Sequence, residues 1–317
     1  MKIFVSGSLA YDRIMDFPGK FEDHILPEKI HILNVCFMVN GLTEKFGGTA
    51  GNIAYSLSLL EEKPLILATV GKDFDTYETW LHQQNLPLDG IRKIPEEFTA
   101  GAYITTDKSD NQITGFNPGA MKYSSLYKFD GVNRKKAIAI IAPGNIEDMM
   151  NYGRIYKEHR IPYIFDPGQS IPALSGNQMT EIIIDSEMLI SNDYELEMIK
   201  KATELENSDL LKMTKCIITT LGENGSIICS QDRETKIPSA KAHVVSDPTG
   251  AGDAYRAGMI KGMVMEKNLI TCAKMGATCA SFAVEHHGTQ EHKFTQEDFR
   301  SRYNTNFEPA FQILISS

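Results

Sequence analysis

The sequence predicts an α/β fold with a mostly parallel central sheet and helices on both faces. Two observations carry this prediction: short apolar runs end repeatedly in Gly, Asp, Asn or Pro, and helical segments separate them. The predicted strands are residues 2–8, 65–71, 137–143, 161–166, 188–192 and 215–221. The predicted helices are residues 50–62, 74–84, 146–159 and 194–203. Such alternation builds parallel sheets, in which ligands bind beyond the carboxyl ends of the strands.

Two stretches break the alternation and predict a small β-rich layer beside the main sheet. Residues 30–40 are strand-like but follow a loop, and residues 99–107 and 112–117 predict a hairpin around residues 108–111. We interpret the layer as a lid formed by discontinuous segments, about 13–46 and 97–118, of a single unit over 1–317. The remainder forms the large domain. Ordinary edge strands are the alternative interpretation.

Composition excludes several classes of partner. The 317 residues are 42% hydrophobic and 23% charged, as in an ordinary soluble enzyme, and the net charge of −9 argues against a nucleic-acid backbone as partner. The five cysteines are scattered without a CxxC pair, which indicates buried free thiols in a reducing compartment. The chain begins with a strand-like segment rather than a signal peptide, and no apolar run has membrane-spanning length, so we expect a cytoplasmic protein without membrane contact.

The most informative motif is Asp-Pro-Thr-Gly-Ala-Gly-Asp at residues 247–253. Residues 242–245 before it predict the end of a strand, and residues 254–265 after it predict a buried helix. The backbone amides of Gly250, Ala251 and Gly252 at a helix start would bind an anion such as a transferring phosphoryl group. Asp253 then places a carboxylate where it can take a proton from an attacking hydroxyl. A tight turn followed by a helix-capping charge is the alternative.

Two earlier stretches offer groups that suit sugar hydroxyls. Asp12 lies just beyond the first strand, and its carboxylate can accept from paired hydroxyls. Gly47 and Gly48 let a ligand approach the backbone, and Asn52 four residues later offers a donor and an acceptor. A loop residue and a structural glycine turn are the alternatives.

Later stretches offer groups for a nucleotide and a metal. Asn192 and Glu195 have the spacing of a capping box, but they could instead face phosphates and order hydrated Mg²⁺. Thr220 and Gly222 follow a predicted strand in a hairpin that also contains Gly225, and could contact nucleotide phosphate or ribose. The cluster of His286, His287 and His292 fits no standard zinc spacing, and we interpret these histidines as solvated or at a nucleotide edge. No GxxxxGK[ST] motif is present, which excludes a P-loop kinase.

Together these motifs resemble the PfkB/ribokinase family of carbohydrate and nucleoside kinases over nearly the whole chain. The resemblance rests on residues 247–253, which look like the family's DTxGAGD signature with Pro248 in place of Thr, and on residues 47–52 and 192–195. It implies a ribokinase-like α/β domain with a small β lid, and ATP- and Mg²⁺-dependent phosphorylation of a primary hydroxyl.

Carried onto this sequence, the resemblance implies a role for each motif residue. Asp253 is the catalytic base and the amides of Gly250, Ala251 and Gly252 form the anion hole. Asp12, Gly47, Gly48 and Asn52 bind sugar hydroxyls. The ATP side comprises Asn192, Glu195, Thr220, Gly222, Gly225 and Asp247, with Glu195 reaching Mg²⁺ through water.

Within that family the chain looks most like bacterial adenosine kinase-like members, which implies that adenosine is converted to AMP. Phe37, Met38 and Phe116 on the predicted lid could stack on the base, or could be lid core or a dimer contact. Ser8 stands where eukaryotic adenosine kinases place an Asn that contacts the base. The alternatives are a kinase of ribose, fructose or a sugar phosphate, and a non-catalytic nucleotide-binding regulator. A monovalent cation, and a monomer or a homodimer through the lid, are left open.

Overall fold

Two sheets organise the chain, and the larger one is mostly parallel. The computed structural model describes residues 1–307, so residues 308–317 of the predicted single unit lie outside the described part. The strands are β1 (Lys2–Ser6), β2 (Ala10–Asp16), β3 (Asn40–Gly47), β4 (Leu65–Val70), β5 (Ile91–Lys93), β6 (Ala100–Thr106), β7 (Gln112–Asn117), β8 (Ala137–Ile141), β9 (Tyr163–Phe165), β10 (Met188–Asn192), β11 (Ile217–Thr220), β12 (Ser226–Cys229) and β13 (Glu234–Ile237). The larger sheet has the order β13-β12-β11-β10-β9-β8-β1-β4-β5, and its pairs are parallel except for those that β12 makes with β11 and β13.

Helices cover both faces of this sheet, as the sequence predicts. They are α1 (Thr49–Leu59), α2 (Asp75–Gln83), α3 (Ile146–His159), α4 (Gly176–Ile183), α5 (Asp193–Thr203), α6 (Asn207–Leu210), α7 (Ala251–Val264), α8 (Leu269–Ala283) and α9 (Gln296–Asn306). Along β1, Ile3 and Val5 join an apolar cluster with α1, α7 and α8, whereas Phe4 between them joins a second cluster with α3, α4 and α5. Successive strand residues point to opposite faces, so a continuous apolar run is what a sheet buried on both sides requires. Among residues 1–307, none of the helices has the length and apolar character needed to cross a membrane.

The smaller sheet, which we call the lid sheet, has the order β3-β2-β6-β7. The predicted hairpin is confirmed, since β6 and β7 pair antiparallel from Gly101 opposite Asn117 to Thr106 opposite Gln112. The predicted strand at 30–40 is wrong: Pro27–Ile32 is a 3-10 helix, and the strand is β3 at Asn40–Gly47. Most side chains of β3 are exposed, so the strand carries none of the apolar signal on which the prediction rested.

Two further local predictions are corrected. Asp12 lies within strand β2 of the lid sheet rather than in a loop, because the chain passes from β1 to β2 in three residues. Residues 242–245 do not form a strand. The backbone in this region instead forms hydrogen bonds with the residues that follow α8. The His243 amide donates to Glu285 Oε1, and the Ser246 and Asp247 amides donate to the Val284 carbonyl.

Candidate active site

A cavity of about 600 Å³ opens beyond the carboxyl ends of the parallel strands. It brings together predicted site residues from five separate stretches of sequence: Asp12, Gly48, Asn52, Asn192, Glu195, Thr220, Gly222, Gly250, Gly252 and Asp253. This is the edge at which ligands bind in open α/β sheets. The cavity is therefore the candidate active site.

The first turn of α7 presents backbone amides and a carboxylate to this cavity. Gly250 caps the helix with φ 79° and ψ −4°, a left-handed conformation that favours glycine. The amide of Ala251 donates to the Pro248 carbonyl over 3.2 Å. Within residues 1–307, no backbone carbonyl accepts from the amides of Gly252 and Asp253. Those two amides are thus available to an anion. The amide of Ala251, which the sequence also predicts to bind the anion, could do so only if its hydrogen bond to Pro248 breaks.

Asp253 is held by a side chain of α1, the helix that follows the first glycine pair. Nδ2 of Asn52 donates to Oδ2 of Asp253 over 2.8 Å. Burial raises the pKa of Asp253 to about 6, against the lowering effects of Arg256 and of the Asn52 hydrogen bond. A carboxylate with this pKa is ionised at neutral pH and can accept a proton from a hydroxyl.

Asp12 faces the same cavity from the lid sheet. Burial, with a smaller contribution from Asp247, raises the pKa of Asp12 to about 6. Gly47 pairs with Ala10 on the neighbouring strand, and a Cβ at Gly47 would lie 2.6 Å from Oδ2 of Asp12. Gly47 is therefore placed to leave room for this carboxylate rather than to line the cavity itself. Gly48 has φ 87°, and a Cβ there would lie 2.6 Å from the Ser8 carbonyl oxygen.

Asn192 and Glu195 form a capping box and also line the cavity. Oδ1 of Asn192 accepts from the Glu195 amide over 2.7 Å, and Oε2 of Glu195 accepts from the Asn192 amide over 2.9 Å. The structural and functional interpretations are therefore compatible, since the box uses Oε2 and a different atom, Oε1, can order water. Over residues 1–307 no cluster of three His, Cys, Asp or Glu side chains could hold a metal ion directly. The donor set fits hydrated Mg²⁺ carried by phosphates and not a protein-caged ion.

The sequence-based interpretation missed an ion pair in the cavity wall. Arg256 on α7 pairs with Asp166, which follows β9, and the two are 6% and 2% exposed. A Cβ at Gly252 would lie 2.7 Å from Nη1 of Arg256, so the guanidinium sits directly behind the glycine turn at the start of α7. Two signals could have found the pair: Arg256 is one helical turn after Asp253, and Asp166 ends a predicted strand at the ligand-binding edge.

A second, largely apolar cavity of about 510 Å³ adjoins the first. Thr220, Gly222 and Gly252 line both, while Gly225 and Ala251 line only the second. Its apolar wall comes from α7, α8 and the segment before α7, through Ala242, Val245, Tyr255, Ala277, Ala280 and Val284. This slot has the size and character of a site for a flat heterocycle.

Several predicted residues lie outside the first cavity. Ser8 Oγ accepts from the Thr49 amide over 3.0 Å and so anchors the start of α1. Phe37 packs on Phe17 and Phe21, with ring centroids 4.8 Å and 5.1 Å away. Phe116 on β7 is 52% exposed.

Three other residues singled out in the sequence also lie outside the first cavity. Met38 is exposed, and Asp247 accepts from the amides of Thr249 and Gly288. His292 is neither solvated nor at a nucleotide edge, because it is fully buried with Nε2 at 3.2 Å from Ser56 Oγ. Burial lowers the pKa of His292 to about 4, so the ring is neutral at physiological pH.

Comparison with known proteins decides the family. The model of the pfkB family carbohydrate kinases matches residues 23–296. The chain belongs to this family. As a member of the pfkB family it is a phosphotransferase with an alcohol group as acceptor. That class sets aside the alternative of a non-catalytic regulator.

Relatives of known structure and name extend the comparison of this pfkB-family chain. It is 35% identical to a nucleoside kinase of Methanocaldococcus jannaschii over 267 residues, which cover 83% of the chain and 87% of the relative. A structure of the Burkholderia thailandensis nucleoside kinase in complex with inosine is 32% identical, with a TM-score of 0.85 over 96% of this chain and 98% of that one. A ribokinase of Thermotoga maritima, 18% identical with a TM-score of 0.80, supports the fold alone. The predicted ribokinase-like fold is confirmed.

Proposed function

We propose that the protein transfers the γ-phosphoryl group of ATP to the 5′-hydroxyl of a nucleoside, with adenosine as the substrate and AMP as the product. The observation that carries the proposal is the carboxylate of Asp253, held by Asn52 at the first turn of α7, in one cavity with Asp12. A base, an anion site and a hydroxyl-binding carboxylate are the parts that phosphoryl transfer to an alcohol needs.

In the proposed reaction the oxygen of the 5′-hydroxyl attacks the γ-phosphorus and gives its proton to Asp253, while the bond between the γ-phosphorus and the β,γ-bridging oxygen breaks and ADP leaves. The amides of Gly252 and Asp253 stabilise the negative charge of the transferring group, and the amide of Gly250 at the cap lies beside them. Arg256 adds positive charge behind this turn, while its pairing with Asp166 keeps it from the acceptor.

The adjoining apolar slot suits the adenine of ATP. A nucleotide with its base there would pass Thr220 and Gly222, which line both cavities, and bring its phosphates to α7. Gly225 borders the slot, and Asp247 shapes the approach by holding the amides of Thr249 and Gly288. Asn192 and Glu195 face the same phosphates and would hold Mg²⁺ through water. Bound Mg²⁺ neutralises phosphate charge and orients the transferred group.

On the acceptor side, Asp12, Gly48 and Asn52 are proposed to bind the ribose. The resemblance to proteins named nucleoside kinases, one of them solved with inosine, supports a nucleoside as acceptor and a purine as its base. A free sugar is the second candidate, and one observation favours it. The aromatic residues predicted to stack on a base, Phe37 and Phe116, lie outside the cavity lining.

The test is ADP release from MgATP with adenosine, inosine, cytidine, ribose and fructose as acceptors. The proposal expects kcat/KM for adenosine to exceed that for ribose by at least about 100-fold, because a bound base adds binding energy that a free sugar lacks. A kcat/KM for inosine higher than that for adenosine would support a purine nucleoside kinase with a different preferred base. Turnover of a free sugar at the highest kcat/KM would replace the nucleoside by the second candidate.

A further inference from the structure

A chain of hydrogen bonds runs from the only tryptophan of the sequence to the carboxylate of Asp253. Indole Nε1 of Trp80 donates to Oε1 of Gln290 over 3.0 Å, and Nε2 of Gln290 donates to Oδ1 of Asn52 over 3.1 Å. Nδ2 of Asn52 then donates to Oδ2 of Asp253 over 2.8 Å. Gln290 and Asn52 are only 3% and 5% exposed, so water competes little for the middle of this relay.

The two ends of the relay fix its direction. An indole N–H can only donate and an ionised carboxylate can only accept, so both amides between them must turn their oxygen toward Trp80 and their nitrogen toward Asp253. A side branch requires the same direction. The hydroxyl of Tyr77 donates to the Gly47 carbonyl over 2.8 Å, which leaves its oxygen to accept from Nε2 of Gln290 over 2.5 Å.

We propose that Trp80 and Gln290 are positioning residues for the reaction, which hold the amide of Asn52 with its N–H toward Asp253. The inference rests on the proposed function, since it takes Asp253 to be the base. If Trp80 loses its indole N–H, the bond to the Tyr77 hydroxyl still orients the Gln290 amide, so Asn52 is held less firmly. If Gln290 loses its amide, the Asn52 amide is free to rotate. Its oxygen would then face the carboxylate, where it favours the protonated acid.

Proton affinity is the property that the relay controls. Burial raises the pKa of Asp253, and the hydrogen bond from Asn52 lowers it. The other groups that face Asp253 are Arg256 on α7, Asp166 beyond β9, Glu195 on α5 and the Tyr77 phenol on α2. Variants at Trp80 and Gln290 leave the charges of these groups in place, so a change in the pH profile reports on the relay.

The decisive variants are Trp80→Phe and Gln290→Leu, with Thr79→Ala as the control. Trp80 stacks on Phe46 and Tyr55 with centroids 5.6 Å and 5.8 Å away, and phenylalanine preserves a ring there while removing the donor. Thr79 is the exposed neighbour on the same helix.

The measurement is kcat at saturating nucleoside and MgATP from about pH 5 to about pH 9. Gln290→Leu is expected to move the acid limb of the profile alkaline by about one pH unit, and Trp80→Phe to move it in the same direction by less. The kcat of Gln290→Leu should fall roughly threefold near pH 6.5 and recover near pH 9, with the KM for ATP unchanged. The control should superimpose on the wild type. An unmoved acid limb, or a loss of kcat that is equal at every pH, would overturn the proposal.

A second measurement does not depend on catalysis. Because Trp80 is the only tryptophan, the fluorescence of the ligand-free protein reports on the relay. The emission is expected to titrate near pH 6, to stop doing so in Asp253→Asn and Gln290→Leu, and to persist in Asp12→Asn. If the emission titrates in this way but no nucleoside is turned over, the proposed function is contradicted and the hydrogen-bond relay is still supported. An emission that does not depend on Asp253 would refute the relay alone.

Discussion

The amide nitrogen of Asn52 lies 2.8 Å from the carboxylate of Asp253, although 201 residues separate them in sequence. Asn52 belongs to the helix that follows the first glycine pair, and Asp253 to the helix that follows the second glycine motif. The bond therefore joins the group proposed to bind the sugar to the group proposed to deprotonate it. Binding of the acceptor and activation of its hydroxyl are built on one contact.

Removing the charge of Asp253 should abolish most turnover and leave the fold intact. Asp253→Asn keeps the shape and the bond to Asn52 but cannot accept a proton, so we expect kcat to fall by about 10²- to 10⁴-fold. The KM for nucleoside should stay within about threefold of the wild type. Asp110→Asn, in the exposed turn of the lid hairpin, is the matched control. Turnover within tenfold of the wild type would refute the role of Asp253 as the base.

The same variant should change stability in a pH-dependent way. The folded-state pKa of Asp253 is about 6 against an ordinary 3.8, so the folded protein holds a proton that the unfolded chain releases between those values. Ionisation above pH 6 therefore destabilises the fold, and this cost disappears on acidification. We expect Asp253→Asn to raise Tm by a few degrees at about pH 7.5, for a gain of roughly 1–3 kcal/mol.

Thermal melts at two pH values check this expectation. Near pH 4 both protein forms are neutral at this position, and the two Tm values should converge. A rise in Tm that is the same at both pH values would mean that the carboxylate is not destabilised by burial.

The elements that could be predicted from the sequence are those whose amino-acid composition reflects their burial. Strand β1 is apolar on both faces, and 188–192 and 146–159 coincide with the observed β10 and α3. The lid strands β2 and β3 escaped prediction because their side chains are mostly half-buried or exposed and polar. Residues 30–40 were wrongly predicted to form a strand for the converse reason, since Ile30 and Met38 are apolar but exposed.

The residues of the candidate site also differ in whether the sequence alone could predict them. Gly250 and Asp253 could be recognised because a turn and a helix start leave a local signature. Gln290, which reaches Asp253 through Asn52, comes from distant sequence and has no local signature. Only the fold brings Gln290 within 3.1 Å of Asn52, and no spacing in the sequence encodes that distance.

A methyl group at Gly47 should weaken acceptor binding specifically. The added Cβ would lie 2.6 Å from Oδ2 of Asp12, so the carboxylate must move from the position proposed to bind ribose hydroxyls. We expect Gly47→Ala to raise the KM for nucleoside by about tenfold or more, because loss of a hydrogen bond to a charged group costs about 1.5–3 kcal/mol. The KM for ATP should not change.

The control for this variant is another lid glycine. A Cβ at Gly115 on β7 would meet nothing within 4 Å, so Gly115→Ala should leave both KM values unchanged. Steady-state kinetics with each substrate varied in turn separates the outcomes. Equal effects of the two variants would show that lid glycines act through general flexibility and not through Asp12.

Filling the apolar slot should affect the nucleotide and spare the acceptor. Ala280 on α8 lines the slot and not the first cavity, so Ala280→Leu adds bulk where adenine is proposed to lie. We expect the KM for ATP to rise by about tenfold or more, since overpacking costs about 1–3 kcal/mol, with the KM for nucleoside unchanged. Ala202→Leu, at an exposed position of α5, controls for the added side chain. An unchanged KM for ATP would place the adenine elsewhere, whereas a raised KM for nucleoside alone would mean that the slot receives the acceptor's base.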